Sequence, residues 1–514
     1  MYGKSIEGNY KSTGVSVVAQ GLNVAVQAFV SLLTTQYVVD RISVEAYGFV
    51  GLVNGFLNYA TVVVIALSSM ASRFISIKYF SNDYDEARDY FKSIGVSQLL
   101  LASVLLPVFM LVLIFLPSIV IVPLELLADV RMLWAAFFLS YCVDTAFSVF
   151  TVTPILHNKV YLTSSITIVS NVVRAIVILS LYWFFPARLW YLGVGQIVTV
   201  LIRSFYHIHI TAQMNPDLIA KRAKFNIGQV WEVLSAGIWN SIMQAGKLIT
   251  EGLDLLIVNL SLGAAPMGVL SISKMIPLFI QQLFGAVSVS FVPGLTKAHA
   301  QGDHEALQAQ VDLSIAIVSF FACFPYTLLA VFGKNFYSLW TPTQDAELLW
   351  MLSLVGSAWM VVNGAVQVIF QLLTIVNKIR YNAILVLVTG FLGAALSVVA
   401  VHRSSNALLL VSAIGSILYI AKNLLFVIPY AARMTGLSAK RLYSSVVRAV
   451  AVVMFSAIPL HLLVAEASLN SWSKLLVYGV VVSIPLSFLQ FVSLAGWRYA
   501  KSAFQTIISK GRPN

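Results

Sequence analysis

Charge is what this chain lacks most. Only 10% of its 514 residues are Asp, Glu, Lys or Arg, against about 25% in a soluble domain, and that scarcity excludes a solvated globular surface. Cysteine is nearly absent as well. Cys142 and Cys323 both fall inside apolar runs, which excludes a disulfide framework or a cysteine zinc site and leaves them as packing residues. Long loops are missing: the longest, 213–230, is too short for a soluble catalytic domain. Motifs of the HExxH and GxSxG kinds are absent. Gly3-Lys4-Ser5 has neither the earlier glycine nor the preceding strand of a nucleotide-binding loop. His207 and His209 are two apart on a helix and share no face. No enzymatic activity, no cofactor and no metal are expected. The first apolar run lacks a small-residue cleavage site and should remain as a span.

What is there is apolar sequence, 59% of the residues, with mean hydropathy +0.88. A bilayer span takes about 20 apolar residues. Such runs occupy 13–37, 44–70, 93–116, 130–153, 160–184, 189–212, 231–260, 265–292, 310–333, 347–373, 382–402, 406–431, 442–465 and 473–495. The expected fold is an all-α polytopic membrane protein of about 14 transmembrane helices. The net charge of +12 does not make it a nucleic-acid binder, because Lys and Arg are scattered over loops and not clustered on one face. With the N-terminus inside, 19 of them fall in inside segments and 5 in outside loops. Both termini are therefore expected in the cytoplasm.

The chain also repeats itself. Shifted by 218–220 residues, Gly48 meets Gly268, Lys78 meets Lys297, Glu86-Ala87 meets Glu305-Ala306, Pro107 meets Pro325, Asn158-Lys159 meets Asn377-Lys378, and Arg203 meets Lys422. Each half has six spans, so the halves share one orientation and form a parallel pseudo-two-fold repeat. The expected organisation is a cytoplasmic N-terminus 1–12, an N-lobe 13–212, a cytoplasmic loop 213–230, a C-lobe 231–432, two extra C-terminal spans within 433–495, and a cytoplasmic tail 496–514. In that tail Trp497, Ala500, Phe504 and Ile508 share a helical face, the pattern of an interfacial helix; a frayed polar terminus is the alternative.

Ionisable groups inside spans are costly and mark cavities or partners. In the seventh span Asn240, Gln244, Lys247, Glu251 and Asp254 recur as one helical stripe, matched in the first by Gln20, Val24, Gln27, Ser31 and Thr34. The simplest geometry is a wet cleft lined by both spans. Lys274 in the eighth span lies opposite Asn54, and Asn363 and Gln367 in the tenth lie opposite Asp144 and Ser148. Arg174 and Asn171 stand midway along the fifth span. The bland alternatives are a Lys247–Glu251 pair at i, i+4 and snorkelling of Asp254, Arg203 and Lys422. Six span cations, Arg73, Arg174, Arg203, Lys247, Lys274 and Lys422, face three carboxylates, Asp144, Glu251 and Asp254. A cleft of that sign attracts anions, phosphate or pyrophosphate above all.

Two six-span lobes in parallel repeat with two added spans resemble the multidrug/oligosaccharidyl-lipid/polysaccharide exporter superfamily. The loops SNDYDEARDYFKS (81–93) and QGDHEALQAQVDLS (301–314) and the hairpins HNKVYL (157–162) and VNKIRYN (376–382) resemble its polysaccharide-transporter branch, which includes the O-antigen (Wzx-type) flippases. The resemblance implies alternating access and an undecaprenyl-pyrophosphate-linked glycan moved from the inner to the outer leaflet of a bacterial cytoplasmic membrane. It also implies cleft cations on spans such as the first, second and eighth. Lys274 matches, whereas Gln27 and Asn54 are neutral. The substrate-binding candidates are Lys274, Lys247, Arg174, Arg203 and Lys422. Glu251, Asp254 and Asp144 are candidates for coupling to H+ or Na+, and Gln20, Gln27, Asn54, Asn240, Gln244, Asn363 and Gln367 for the polar lining. The lipid-linked glycan, the bilayer and polysaccharide polymerase machinery are the partners expected. A cation-coupled multidrug exporter of the same superfamily is the first alternative, and a membrane-embedded glycan transferase or ligase the second.

Overall fold

The computed structural model describes residues 2–496 except 158, 221, 293, 297–303, 377, 379, 405 and 466–468. Of residues 2–20, 160, 247, 250, 251, 304, 306 and 465 it describes the backbone alone. The interfacial helix expected in the tail lies outside the described residues.

Among the described residues every regular element is helical. Spans 1 to 7 are the helices Tyr2–Arg41, Val44–Phe80, Tyr84–Ile114, Leu127–Ala146 continued by the short helices Ser148–Thr151 and Val152–Leu156, Val160–Phe184, Tyr191–Met214 and Ile227–Leu262. Span 8 is broken into Ala264–Ser273 and Met275–Val289, span 9 is His304–Trp340, and span 10 is broken into Ala346–Ser357 and Trp359–Ile375. Span 11 is Arg380–Arg403, span 12 runs Ala407–Lys422 through a π-turn Asn423–Val427 into Ile428–Thr435, and spans 13 and 14 are Ala439–Ala465 and Trp472–Ala495. Among the described residues, twelve of these are long and apolar enough to cross a bilayer.

Two compact units share these helices. One comprises Met1–Ser271 with Val386–Ala394, the other Ile272–Leu385 with Ala395–Asn514. Span 7, which the repeat sets at the head of the second lobe, thus packs within the first unit along span 2. Glycine permits that approach: a Cβ on Gly237 would lie 1.8 Å from the Ala66 carbonyl oxygen.

The repeat is visible in local geometry. Pro107 and Pro325 both sit inside the third helix of their half. The turn closing span 4 is made by Lys159 N–H donating to the Pro154 carbonyl at 2.7 Å, and the turn closing span 10 by Lys378 N–H donating to Leu373 at 2.9 Å. Both bonds span five residues, and their ends match at one offset.

The loop motifs 81–93 and 301–314 also have a structural use. The start of span 3 grips the segment that leaves span 6: Lys224 N–H donates to Asp89 at 2.6 Å, Asn226 N–H to Ser93 at 2.9 Å, and Lys92 Nζ to the Ala223 carbonyl at 2.7 Å. In the second half Ser438 N–H donates to Gln308 at 3.2 Å and Arg441 pairs with Asp312 at 3.6 Å. Gln308 and Asp312 are the repeat partners of Asp89 and Ser93, so each half binds its outgoing segment with the same two positions.

Spans 13 and 14 pack on span 9. Gln490, fully buried, donates from one amide nitrogen towards Thr327 at 2.9 Å and Ser456 at 2.8 Å. Cys323 packs in an apolar cluster with Val361, Ala449, Val453 and Leu494, and Cys142 is likewise a free buried thiol.

Candidate functional site

The first unit carries an ion pair in the middle of its helices. Arg203 of span 6 donates from Nη2 to Asp144 Oδ1 of span 4 at 2.7 Å. By helix rise Arg203 lies roughly 17 Å from the Met214 end, too deep to reach an interface, and it turns sideways to the carboxylate instead of snorkelling. The side chains are 28% and 54% exposed. A carboxylate that open at mid-span faces water, because lipid would not tolerate it. Pairs this exposed contribute about 1 kcal/mol or less.

Arg174 is carried by span 5, which packs along span 6. Its aliphatic stem lies against span 6 where Gly195 removes a side chain; a Cβ there would be 2.9 Å from Arg174 Cγ. The guanidinium is within electrostatic reach of Arg203 and of Tyr47 on span 2. Its Nε, like that of Arg203, is buried without a hydrogen-bond partner. One turn before Arg174, Asn171 donates to Asn23 of span 1 at 3.5 Å. The Arg203–Asp144 pair thus joins spans 6 and 4, and the Asn171–Asn23 bond joins spans 5 and 1.

The second unit builds the matching positions differently. Lys422, the repeat partner of Arg203, is 5% exposed. Its ammonium lies 4.0 Å from the Tyr419 ring centroid and 5.5 Å from that of Phe370, a cation–π setting. Asn363 replaces Asp144. It accepts from Asn423 at 3.3 Å and donates to Gln367 at 3.2 Å. The π-turn starts at Asn423, a distortion often found at functional positions.

The remaining candidates divide. Lys274 is half-buried in the break of span 8 and starts the helix Met275–Val289. Asn240 donates to Ser69 of span 2 at 3.0 Å, so its amide joins two helices. Asn54 is exposed and bonds back to Val50 of its own helix at 2.8 Å; Thr34 does the same to Val30 at 2.9 Å. Asp254 accepts from the Leu255 N–H at 2.8 Å. Gln27, Gln244 and Gln367 are half-buried. Gln20, Lys247 and Glu251 lie on their predicted helices, but their side chains lie outside the described residues. Sequence reading had Arg203 and Asp144 in separate roles and missed their pairing, as it missed Tyr47, Tyr419, Phe370 and Asn423. One signal was available: Asp144 and Arg203 match Asn363 and Lys422 at a single offset.

No family model matches the chain. It is 26% identical over 460 residues to EpsK, an uncharacterised membrane protein of Bacillus subtilis (strain 168), covering 88% of this chain and 90% of that one. Among solved structures it is similar to an inward-facing MATE family multidrug resistance transporter of the MOP superfamily, with TM-score 0.66 at 11% identity over 82% of this chain and 99% of that one. A mutant of the Vibrio cholerae MATE transporter VcmN gives TM-score 0.60 at 13% identity over 83% and 100%. A MOP superfamily transporter from Pyrococcus furiosus, described by a reversed polarity of its binding pocket, gives 0.62 at 11% over 83% and 96%. The fold of this chain is that of the multidrug/oligosaccharidyl-lipid/polysaccharide transporter superfamily.

Proposed function

We propose that this protein moves an undecaprenyl-pyrophosphate-linked oligosaccharide from the inner to the outer leaflet of a bacterial cytoplasmic membrane by alternating access, with both termini in the cytoplasm. The observation that carries the reading is the cationic pair of side chains at mid-span: Arg203 is bound to Asp144, and Arg174 keeps a buried Nε with no hydrogen-bond partner. A pyrophosphate diester carries two negative charges, and planar guanidiniums suit its oxygens. Lys422 and Lys274 add positive charge on spans 12 and 8 in the same sense. No bond of the substrate has to break, so no catalytic residue is assigned.

A cation-coupled multidrug exporter is the second reading, favoured by the MATE family neighbours and by the carboxylate of Asp254. Against it, Asp144 is held by Arg203, which lowers its use as a free cation site.

The test reconstitutes the protein in liposomes with a fluorescent undecaprenyl-pyrophosphate trisaccharide and quenches the outer leaflet. Protein-dependent movement that falls several-fold in Arg174→Gln supports the flippase. Movement no faster than in protein-free liposomes, together with ethidium efflux driven by a proton or sodium gradient, overturns it in favour of the exporter.

A further inference from the structure

Asp144 occupies Arg203 with a single oxygen. The contact is one Nη2–Oδ1 bond at 2.7 Å, although a guanidinium offers five donors in a fork that suits two oxygens of one anion. The Nε of Arg203 and the Nε of Arg174 are both buried without hydrogen-bond partners. The carboxylate is the exposed member, at 54% against 28%, so it can leave Arg203 without being buried elsewhere.

We propose that Asp144 is a built-in substitute for the ligand: an anion of the phosphate or pyrophosphate class displaces it from Arg203, is completed by Arg174, and thereby unties span 4 from span 6. This deepens the function proposed above and rests on it for the identity of the transported anion. Arg203 holds Asp144 in an ion pair, and the charge of Arg174 acts on Arg203 from the neighbouring helix. Once the carboxylate swings into water, both guanidiniums are left for the incoming group, and a dianion balances them. The ion pair is weak enough to exchange, as partly exposed pairs are, while the stem of Arg174 is packed at Gly195 of span 6.

The repeat supplies the contrast. At the matching positions of the second unit the carboxylate is an amide, Asn363, bonded on both sides to Asn423 and Gln367. The cation there, Lys422, is 5% exposed against an aromatic ring. The displacement proposed here concerns the first unit, and the helices it releases are spans 4 and 6.

The experiment measures binding of two probes to the purified full-length protein in detergent: inorganic pyrophosphate and farnesyl pyrophosphate. Removing the competitor with Asp144→Asn is expected to tighten both by about tenfold, while Arg203→Gln and Arg174→Gln weaken both by at least as much. Unchanged or weaker binding in Asp144→Asn overturns the proposal. Asp144→Ser serves as a second variant if the asparagine form is poorly folded, with the same expectation. Farnesyl pyrophosphate binding far more tightly than pyrophosphate assigns the site to a lipid carrier. Equal affinities assign it to a free anion and leave the exchange standing. Failure of the liposome assay with the exchange intact would sink the flippase reading alone; movement that proceeds while Asp144→Asn leaves both affinities unchanged would sink the exchange alone.

Discussion

Gly48 and Gly268 are repeat partners, and they touch. A Cβ on Gly48 would lie 2.9 Å from the Gly268 Cα, and one on Gly268 would lie 2.3 Å from the Val44 carbonyl oxygen. One helical turn on, the next matched pair does the same, with a Cβ on Gly51 lying 2.2 Å from Ser271 Oγ. The absence of side chains at Gly48 and Gly268 is thus what lets span 2 and the first half of span 8 meet.

Gly268→Ala should therefore lower the melting temperature by several degrees, since overpacking against backbone costs roughly 1–3 kcal/mol. Gly285→Ala is the control, because a Cβ there meets nothing within 4 Å and alanine is the better helix former. Thermal unfolding of both variants in detergent decides the point. Equal melting temperatures would show that the helices part without cost.

Arg203→Met should leave the melting temperature within a few degrees of the parent. The lost pair is partly exposed and is worth about 1 kcal/mol or less, and methionine keeps the stem. Transport should fall sharply all the same. A large loss of folded protein would mean that the pair is there for stability.

Lys422 and Tyr419 should be energetically coupled. Tyr419→Leu removes a ring 4.0 Å from the ammonium and should cost about 1–2 kcal/mol. In a Lys422→Met background the same change should cost much less. A double-mutant cycle on unfolding free energies reads the difference, and additivity would refute the contact.

Gln490 separates two kinds of buried polarity. Thr327 and Ser456 also bond to carbonyls of their own helices, at 2.9 and 2.6 Å, and Gln490 Oε1 has no partner. Gln490→Leu should then be tolerated to within about 1 kcal/mol. Gln490→Glu would bury a charge among spans 9, 13 and 14 and should sharply lower the yield of monodisperse protein. Similar yields from both would contradict this account of the network.

Orientation is open to chemical labelling. Cysteines at Asn82 and Asp217 should react with an impermeant maleimide only from the cytoplasmic side, and cysteines at Thr343 and Arg188 only from outside. The opposite pattern would invert the membrane topology read from the loop charges.

The sequence by itself determined the spans, since a run of about 20 apolar residues has no soluble use. It also determined the repeat, since matched turns such as those ending at Lys159 and Lys378 are closed by bonds only five residues long. Local chemistry of this kind is written in consecutive residues. The stripe on span 7 was legible as a face, but periodicity says which residues share a side, and not what that side meets; Asn240 turned out to meet Ser69. Tertiary structure alone decided that Arg203 pairs with Asp144, 59 residues away, while their repeat partners form an amide ladder and a cation–π contact. The physical reason is that a mid-span charge must find a partner or water, and which one it finds depends on how neighbouring helices are rotated and how closely glycines such as Gly195 let them approach.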